Sequence, residues 1–383
     1  MSGQHVVYGF LRPFLRWAIP DHDVVLLHLQ SEHPPEDLFS SGMGSIPVTN
    51  RCRNWLFRSV WEAGKLPTVI KAGQFDVVLN ISGAISPRCP VPQVVLCMNP
   101  WCYRPSAQRN MLDRAKAALQ CLAYRRAYRQ AASLIYLSGH LRELYRHDNS
   151  PVVERSYSVS LVGLSEETVY AAREAEGTPR RPWSILSVSA MASWKGAETL
   201  VQAVAILRQR GFPVTLDLVG PWPQPDYEAQ IRAQVSCLEL QDAVHFRGKV
   251  SRDDLHKAYA ESQVFCLMST CESFGIPAAE AMCFGTPVVS TDCCAIAEVC
   301  ESAGLFGPPD DPVWTADALQ RMLTDTAFRE QCSENAIRRA ERLTWERCSL
   351  AFRRIMDVGK DSSGRTPAEV QNNDLSQTET TVR

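Results

Sequence analysis

The stretch Thr270-Cys-Glu-Ser-Phe-Gly-Ile-Pro-Ala-Ala-Glu-Ala-Met282 decides the reading of this chain. Glu272 and Glu280 stand with seven residues between them, and Ser273-Phe274-Gly275 makes a turn just after the first. The preceding run Gln263-Val-Phe-Cys-Leu-Met268 is a short apolar strand of the buried kind, and the sequence from Gly275 onward reads as a helix. Glu272 therefore falls on the loop at a strand's C-terminal end, and Glu280 falls inside the next helix. Doubly wound α/β proteins bind ligands at that end of their strands. The backbone N–H groups of Ser273, Phe274 and Gly275 would point out of the helix N-terminus and suit a phosphate. Two carboxylates beside them can accept hydrogen bonds from hydroxyls. A ligand with both features is a nucleotide sugar. The plainer reading is a glutamate complementing a helix dipole, and the flanking sequence decides between the two.

That flanking sequence runs on through Gly285-Thr-Pro-Val-Val-Ser290, and Glu-x7-Glu followed by Gly-Thr-Pro-Val-Val resembles the family 4 retaining glycosyltransferases of the GT-B fold. Ser187-Val-Ser-Ala-Met-Ala-Ser-Trp-Lys-Gly196 resembles the strand and Lys-Gly loop that open the family's donor domain, and Val244-His-Phe-Arg-Gly248 resembles a later strand. In the first half, Phe75–Leu79, Val94–Pro100 and Ser133–Gly139 match the family's strands more loosely. The resemblance covers roughly residues 2–356. It implies two Rossmann-like, doubly wound parallel-sheet domains facing a cleft, and transfer of a hexose to a cell-surface glycan or lipid-linked saccharide. Glu272 would face the sugar, Glu280 would hold the ribose, and Lys195 would neutralise the departing diphosphate. Asn99, after a strand of the first domain, would reach sugar or acceptor, and Gly3 would stand at the acceptor-side loop. No covalent nucleophile, metal or resident cofactor is implied, since the nucleotide sugar is the donor substrate. The family often carries an Arg five residues before the lysine; here that position is Ala190, and Arg247 is the candidate to compensate.

The remaining sequence sets the frame. A chain of 383 residues exceeds what one core usually serves, so two domains are expected. Repeated strand–helix units in both halves predict parallel sheets with right-handed crossovers. The expected divisions are a first domain over 1–170, a linker over 171–182 and a donor domain over 183–343. A helix over 344–358 would cross back to the first domain, and a polar tail over 359–383 should be disordered. Family members have a strand ahead of the segment that begins at Ser2, so the first domain is expected to want a strand supplied from upstream. A helix is expected over about 107–130. The 14 cysteines are scattered without zinc-ligand spacing, and with no signal peptide visible they read as reduced thiols of a cytoplasmic protein. Asp21-His-Asp23 precedes its strand and reads as a surface turn, not a metal site.

The net charge of −2 hides an asymmetry. Residues 1–170 hold 18 Lys/Arg against 13 Asp/Glu, and the remainder 22 against 29. Arg51, Arg53, Arg58, Lys65 and Lys71 are interleaved with Trp55, Phe57 and Trp61, and Arg109–Arg129 is similarly basic and apolar. Such segments suit an anionic membrane surface. No motif points to nucleic acid. Two other readings of the cleft stay open: a nucleotide-sugar epimerase of the same architecture, and a non-catalytic nucleotide-sugar-binding protein.

Overall fold

A computed structural model describes residues 3–40, 42–353 and 358. The second domain holds a six-stranded sheet of β7 (Ser184–Val188), β8 (Thr215–Val219), β9 (Val244–Gly248), β10 (Val264–Leu267), β11 (Val288–Thr291) and β12 (Gly304–Gly307), numbered on from the six strands of the first domain. Its order is β12-β11-β10-β7-β8-β9 with every pair parallel. β7, β10 and β11 are buried along their length, as the continuous apolar runs demand of strands covered by helices on both faces. The order reverses at β7, so the loops after β7 and β10 flank the switch point.

The first domain has β1 (Val25–Leu29) paired with β2 (Gly44–Val48), and separately β3 (Val78–Asn80), β4 (Gln93–Cys97), β5 (Ser133–Tyr136) and β6 (Tyr157–Val159). Its strands thus form two parallel sheets, not one. The strand expected ahead of Gly3 falls outside the described residues. The helix Gly3–Ala18 buries Phe10, Phe14, Leu15 and Ala18 against this half.

Three expectations shift. The long helix begins at Met111, because Asn110 caps it by accepting from the Asp113 N–H at 2.9 Å. The stretch 171–182 is no free linker: its start lies in the helix Glu166–Glu174, and Arg180 is drawn into the second domain. There Arg180 donates to the carbonyls of Ser262 at 2.6 Å and Phe284 at 2.7 Å and to the Thr286 hydroxyl at 2.8 Å. Burial pushes its guanidinium down to about 10. The composition was that of a boundary, but one planar side chain with five donors found carbonyl partners. The last helix, expected over Trp345–Val358, has its first regular turn at Trp345–Cys348; 354–357 and the tail over 359–383 lie outside the described residues.

That returning segment packs on the first domain. Trp345 meets Phe10 edge-on at 5.1 Å, and Phe352 stacks on Phe10 at 4.6 Å. Leu164 N–H donates to the Leu343 carbonyl at 2.7 Å. The approach needs glycine: a Cβ on Gly163 would lie 2.6 Å from the Trp345 backbone nitrogen. Gly163→Ala should therefore destabilise by about 1–3 kcal/mol through overpacking, read as a lower denaturant midpoint. An unchanged midpoint would show that the Trp345 contact is dispensable.

Candidate functional site

β7 runs into a single turn of 3-10 helix, Ser193–Lys195, and then Gly196 with φ of 69°. A Cβ on Gly196 would lie 2.2 Å from the Met268 carbonyl oxygen at the end of β10. Only glycine lets the two loops touch here. Thr270 N–H donates to the Trp194 carbonyl at 2.9 Å and the Ser269 hydroxyl to the same oxygen at 3.2 Å. The lysine loop is thus laid along the glutamate loop, and Lys195 Nζ contacts Glu272 Oε1. Both side chains are largely buried, 15 and 14 % exposed.

Gly275, with φ of 92°, ends the loop and opens the helix Ile276–Cys283. A Cβ there would press 2.6 Å from Ile296 Cγ1. Phe274 is buried, and the Ser273 carbonyl is taken by the first domain. Glu280 sits within this helix, 4 % exposed. Tyr259 donates to its Oε2 at 3.0 Å, and Arg252 Nη1 stands 3.7 Å from its Oε1. Burial raises its pKa above the ordinary range, opposed by Arg252 and Tyr259. Its described partners lie on the helix Arg252–Glu261, whereas those of Glu272 lie on the lysine loop.

Two sequence candidates are engaged elsewhere. Arg247 donates to Asp217 Oδ1 at 2.9 Å, and Asp217 also takes Arg181 at 2.8 Å, which holds its carboxyl below the usual range against its burial. Arg247, on the edge strand β9, thus has its charge compensated by Asp217 of the neighbouring β8. Asn99 Oδ1 accepts from the Trp101 N–H at 2.9 Å, an Asx turn at the entry to the short turn Trp101–Tyr103. Gly3 is the first residue of its helix.

The first domain brings residues that the sequence had not singled out. Ser138 caps the helix Gly139–Asn149: its hydroxyl accepts from the Leu141 N–H at 3.1 Å and donates to the Ser273 carbonyl at 2.8 Å. The Gly139 and His140 N–H groups donate to the two carboxylate oxygens of Glu298, each at 2.7 Å. Arg104 donates to the Cys293 carbonyl at 2.6 Å and meets His140 Nε2 at 2.8 Å. Burial, then the Arg104 charge, lowers the His140 pKa, which fits a neutral ring accepting at Nε2. The turn Pro105–Ala107 lies against Ser193–Lys195. The strand-end signal of Ser138-Gly139 was legible; its partner in the other domain was not.

Residues 170–339 match the family model for glycosyl transferases group 1. An alpha-D-kanosaminyltransferase of Streptomyces kanamyceticus is 28 % identical over 61 % of this chain and 62 % of its own length. A D-inositol 3-phosphate glycosyltransferase of Jonesia denitrificans is 32 % identical over 40 % of this chain and 37 % of its own. The chain thus spans between about a third and two thirds of these relatives. Among solved structures, Anabaena HepE in complex with UDP and glucose has a TM-score of 0.66 at 18 % identity, over 93 % of this chain and 96 % of that one. WaaG, a glycosyltransferase involved in lipopolysaccharide biosynthesis, has a TM-score of 0.64 at 19 % identity, over 91 and 96 %. The fold is GT-B.

Glu298 is exposed, so its tie to the other domain is modest. Glu298→Ala should cost about 0.5–2 kcal/mol and raise the radius of gyration in solution scattering, with Glu298→Gln intermediate. A profile identical to the parent's would mean that the helix N-terminus does not hold the domains together.

Proposed function

We propose that this chain is a retaining glycosyltransferase of family 4, moving a hexose from a nucleoside-diphosphate sugar to a glycan or lipid-linked saccharide. The observation that carries the reading is Lys195 held against Glu272 at the switch point of the second sheet, within the stretch that matches the group 1 family model. HepE, of the same fold, holds UDP and glucose. In this reading Lys195 leaves Glu272 for the diphosphate and stabilises the charge that develops as the sugar departs. Glu272 then faces the sugar hydroxyls and the positive charge forming on the ring. Glu280 takes the ribose through Oε1, the oxygen that Tyr259 leaves free for Arg252. The leaving phosphate receives the proton of the acceptor hydroxyl on the same face, so no enzyme nucleophile is required. Charge on the diphosphate is met by side chains, without a metal or resident cofactor.

Lys195→Ala should lower transfer by about a hundredfold or more, the usual consequence of removing one preorganised charge. A loss under fivefold would place the phosphate elsewhere. Glu280→Ala should weaken nucleotide binding in calorimetry by about 1.5–3 kcal/mol, while Glu272→Ala should mainly lower turnover. Unchanged nucleotide affinity in Glu280→Ala would remove Glu280 from the donor site.

The first domain's surface supports an anionic membrane as partner of the acceptor side. At 100° per residue, Leu112, Ala115, Leu119 and Leu122 share one stripe of the helix Met111–Gln130. That stripe is exposed and lies opposite the buried Ala117, Tyr124, Ala127 and Tyr128. Lys116, Arg126 and Arg129 flank it, and exposed Leu56, Phe57 and Val60 on the helix Trp55–Gly64 stand among Arg51, Arg53 and Arg58. Apolar groups bordered by cations match an anionic leaflet. Flotation should show binding to phosphatidylcholine vesicles only when phosphatidylglycerol is included. Changing Leu112, Leu119 and Leu122 together to Ser should weaken it by about tenfold or more. Equal recovery of parent and variant with the vesicles would count against this surface.

A further inference from the structure

We propose that Arg104, reaching across from the first domain, is the second cation of the diphosphate site and does the work of the charge missing at Ala190; this rests on the nucleotide-sugar reading above. Three observations place it. Its guanidinium donates to the Cys293 carbonyl at 2.6 Å, and Cys293 lies on the loop after β11. Two residues on, the Ala295 N–H donates to the Glu272 carbonyl at 3.4 Å, so that loop is hydrogen-bonded to the glutamate loop itself. The residues just after Arg104, Pro105–Ala107, rest on the turn that carries Lys195. Arg104 is therefore held at the loop after β11, beside the lysine and glutamate loops that bracket the switch point.

Its partners are the second argument. Lys195 has Glu272, and Arg247 has Asp217. Arg104 is partly buried, yet among the described residues its hydrogen bonds go to a carbonyl oxygen and to His140 Nε2, neither of which carries a negative charge while the ring is neutral. A guanidinium taken partly out of water without a counter-charge is costly unless an anion completes it. A diphosphate supplies that anion, and a guanidinium binds phosphate oxygens in a bidentate fork that an ammonium cannot match. The donor would then be bound by charge from both domains, Lys195 from one and Arg104 from the other. Nucleotide binding and approach of the domains become one event.

The test is calorimetry of the full chain with UDP, GDP and ADP, each beside its monophosphate, for the parent, Arg104→Ala, Arg104→Lys and the double variant Arg104→Ala/Ala190→Arg. Arg104→Ala should weaken the preferred diphosphate about 10- to 100-fold and the monophosphate much less. Arg104→Lys should lose less, and an arginine at 190 should restore affinity by returning a cation to the lysine loop. Rescue from position 190 separates a phosphate role from mere tethering, because a side chain there cannot replace the bond to Cys293. Equal losses for mono- and diphosphate, an unchanged Arg104→Ala, or a double variant no better than the single one would overturn the proposal. If the parent binds none of the diphosphates, the nucleotide-sugar reading fails with it; if the parent binds and Arg104→Ala is unaffected, only the role of Arg104 falls.

Discussion

An ammonium and a carboxylate, both largely withdrawn from water, are held in contact at the point where the second domain's sheet reverses its strand order. Lys195 and Glu272 stand 77 positions apart on loops that follow neighbouring strands, β7 and β10. Removing two charges from water is expensive, and their attraction repays it only when geometry is fixed. Here the fixing is done by backbone. Gly196 lets one loop lie directly on the carbonyl of Met268, and the Trp194 carbonyl takes donors from the other loop.

The same economy appears between the domains. One helix N-terminus, Ser138 to His140, contributes a hydroxyl and two N–H groups to the second domain and receives a carbonyl and a carboxylate in return. Its unsatisfied donors would otherwise face water. On the far side of the molecule, the segment after Leu343 returns to the first domain through Trp345, Phe352 and the gap left by Gly163. The first contact is polar and partly exposed, the second apolar and buried.

Much of the second domain was legible because its signals are local. A parallel strand covered on both faces must be an apolar run, and the turn after it must contain glycine where backbones approach; both are visible in Val264–Leu267 with Gly275 and in Ser184–Val188 with Gly196. Arg247 and Asn99 have intramolecular partners that the sequence did not show, since a side chain's partner depends on what the fold brings near it. Arg247 met Asp217 on the adjacent strand, and Asn99 met a backbone N–H two residues on. Arg180, in a stretch that reads as a boundary, became an anchor for four groups of the second domain.

The sequence by itself determined the α/β class, the strand-end position of Glu272, the place of Lys195 before a glycine and the burial of the strands β7 and β10 that lead into their loops. Periodicity and turn chemistry act over a few residues, and a linear text records them. Tertiary structure alone decided that Glu280 faces Tyr259 and Arg252, that Glu298 caps a helix of the other domain, and that Arg104 reaches the loop of Cys293. Those contacts join residues 21 to 189 positions apart. They follow from how two sheets and their helices are stacked, and no local preference encodes that.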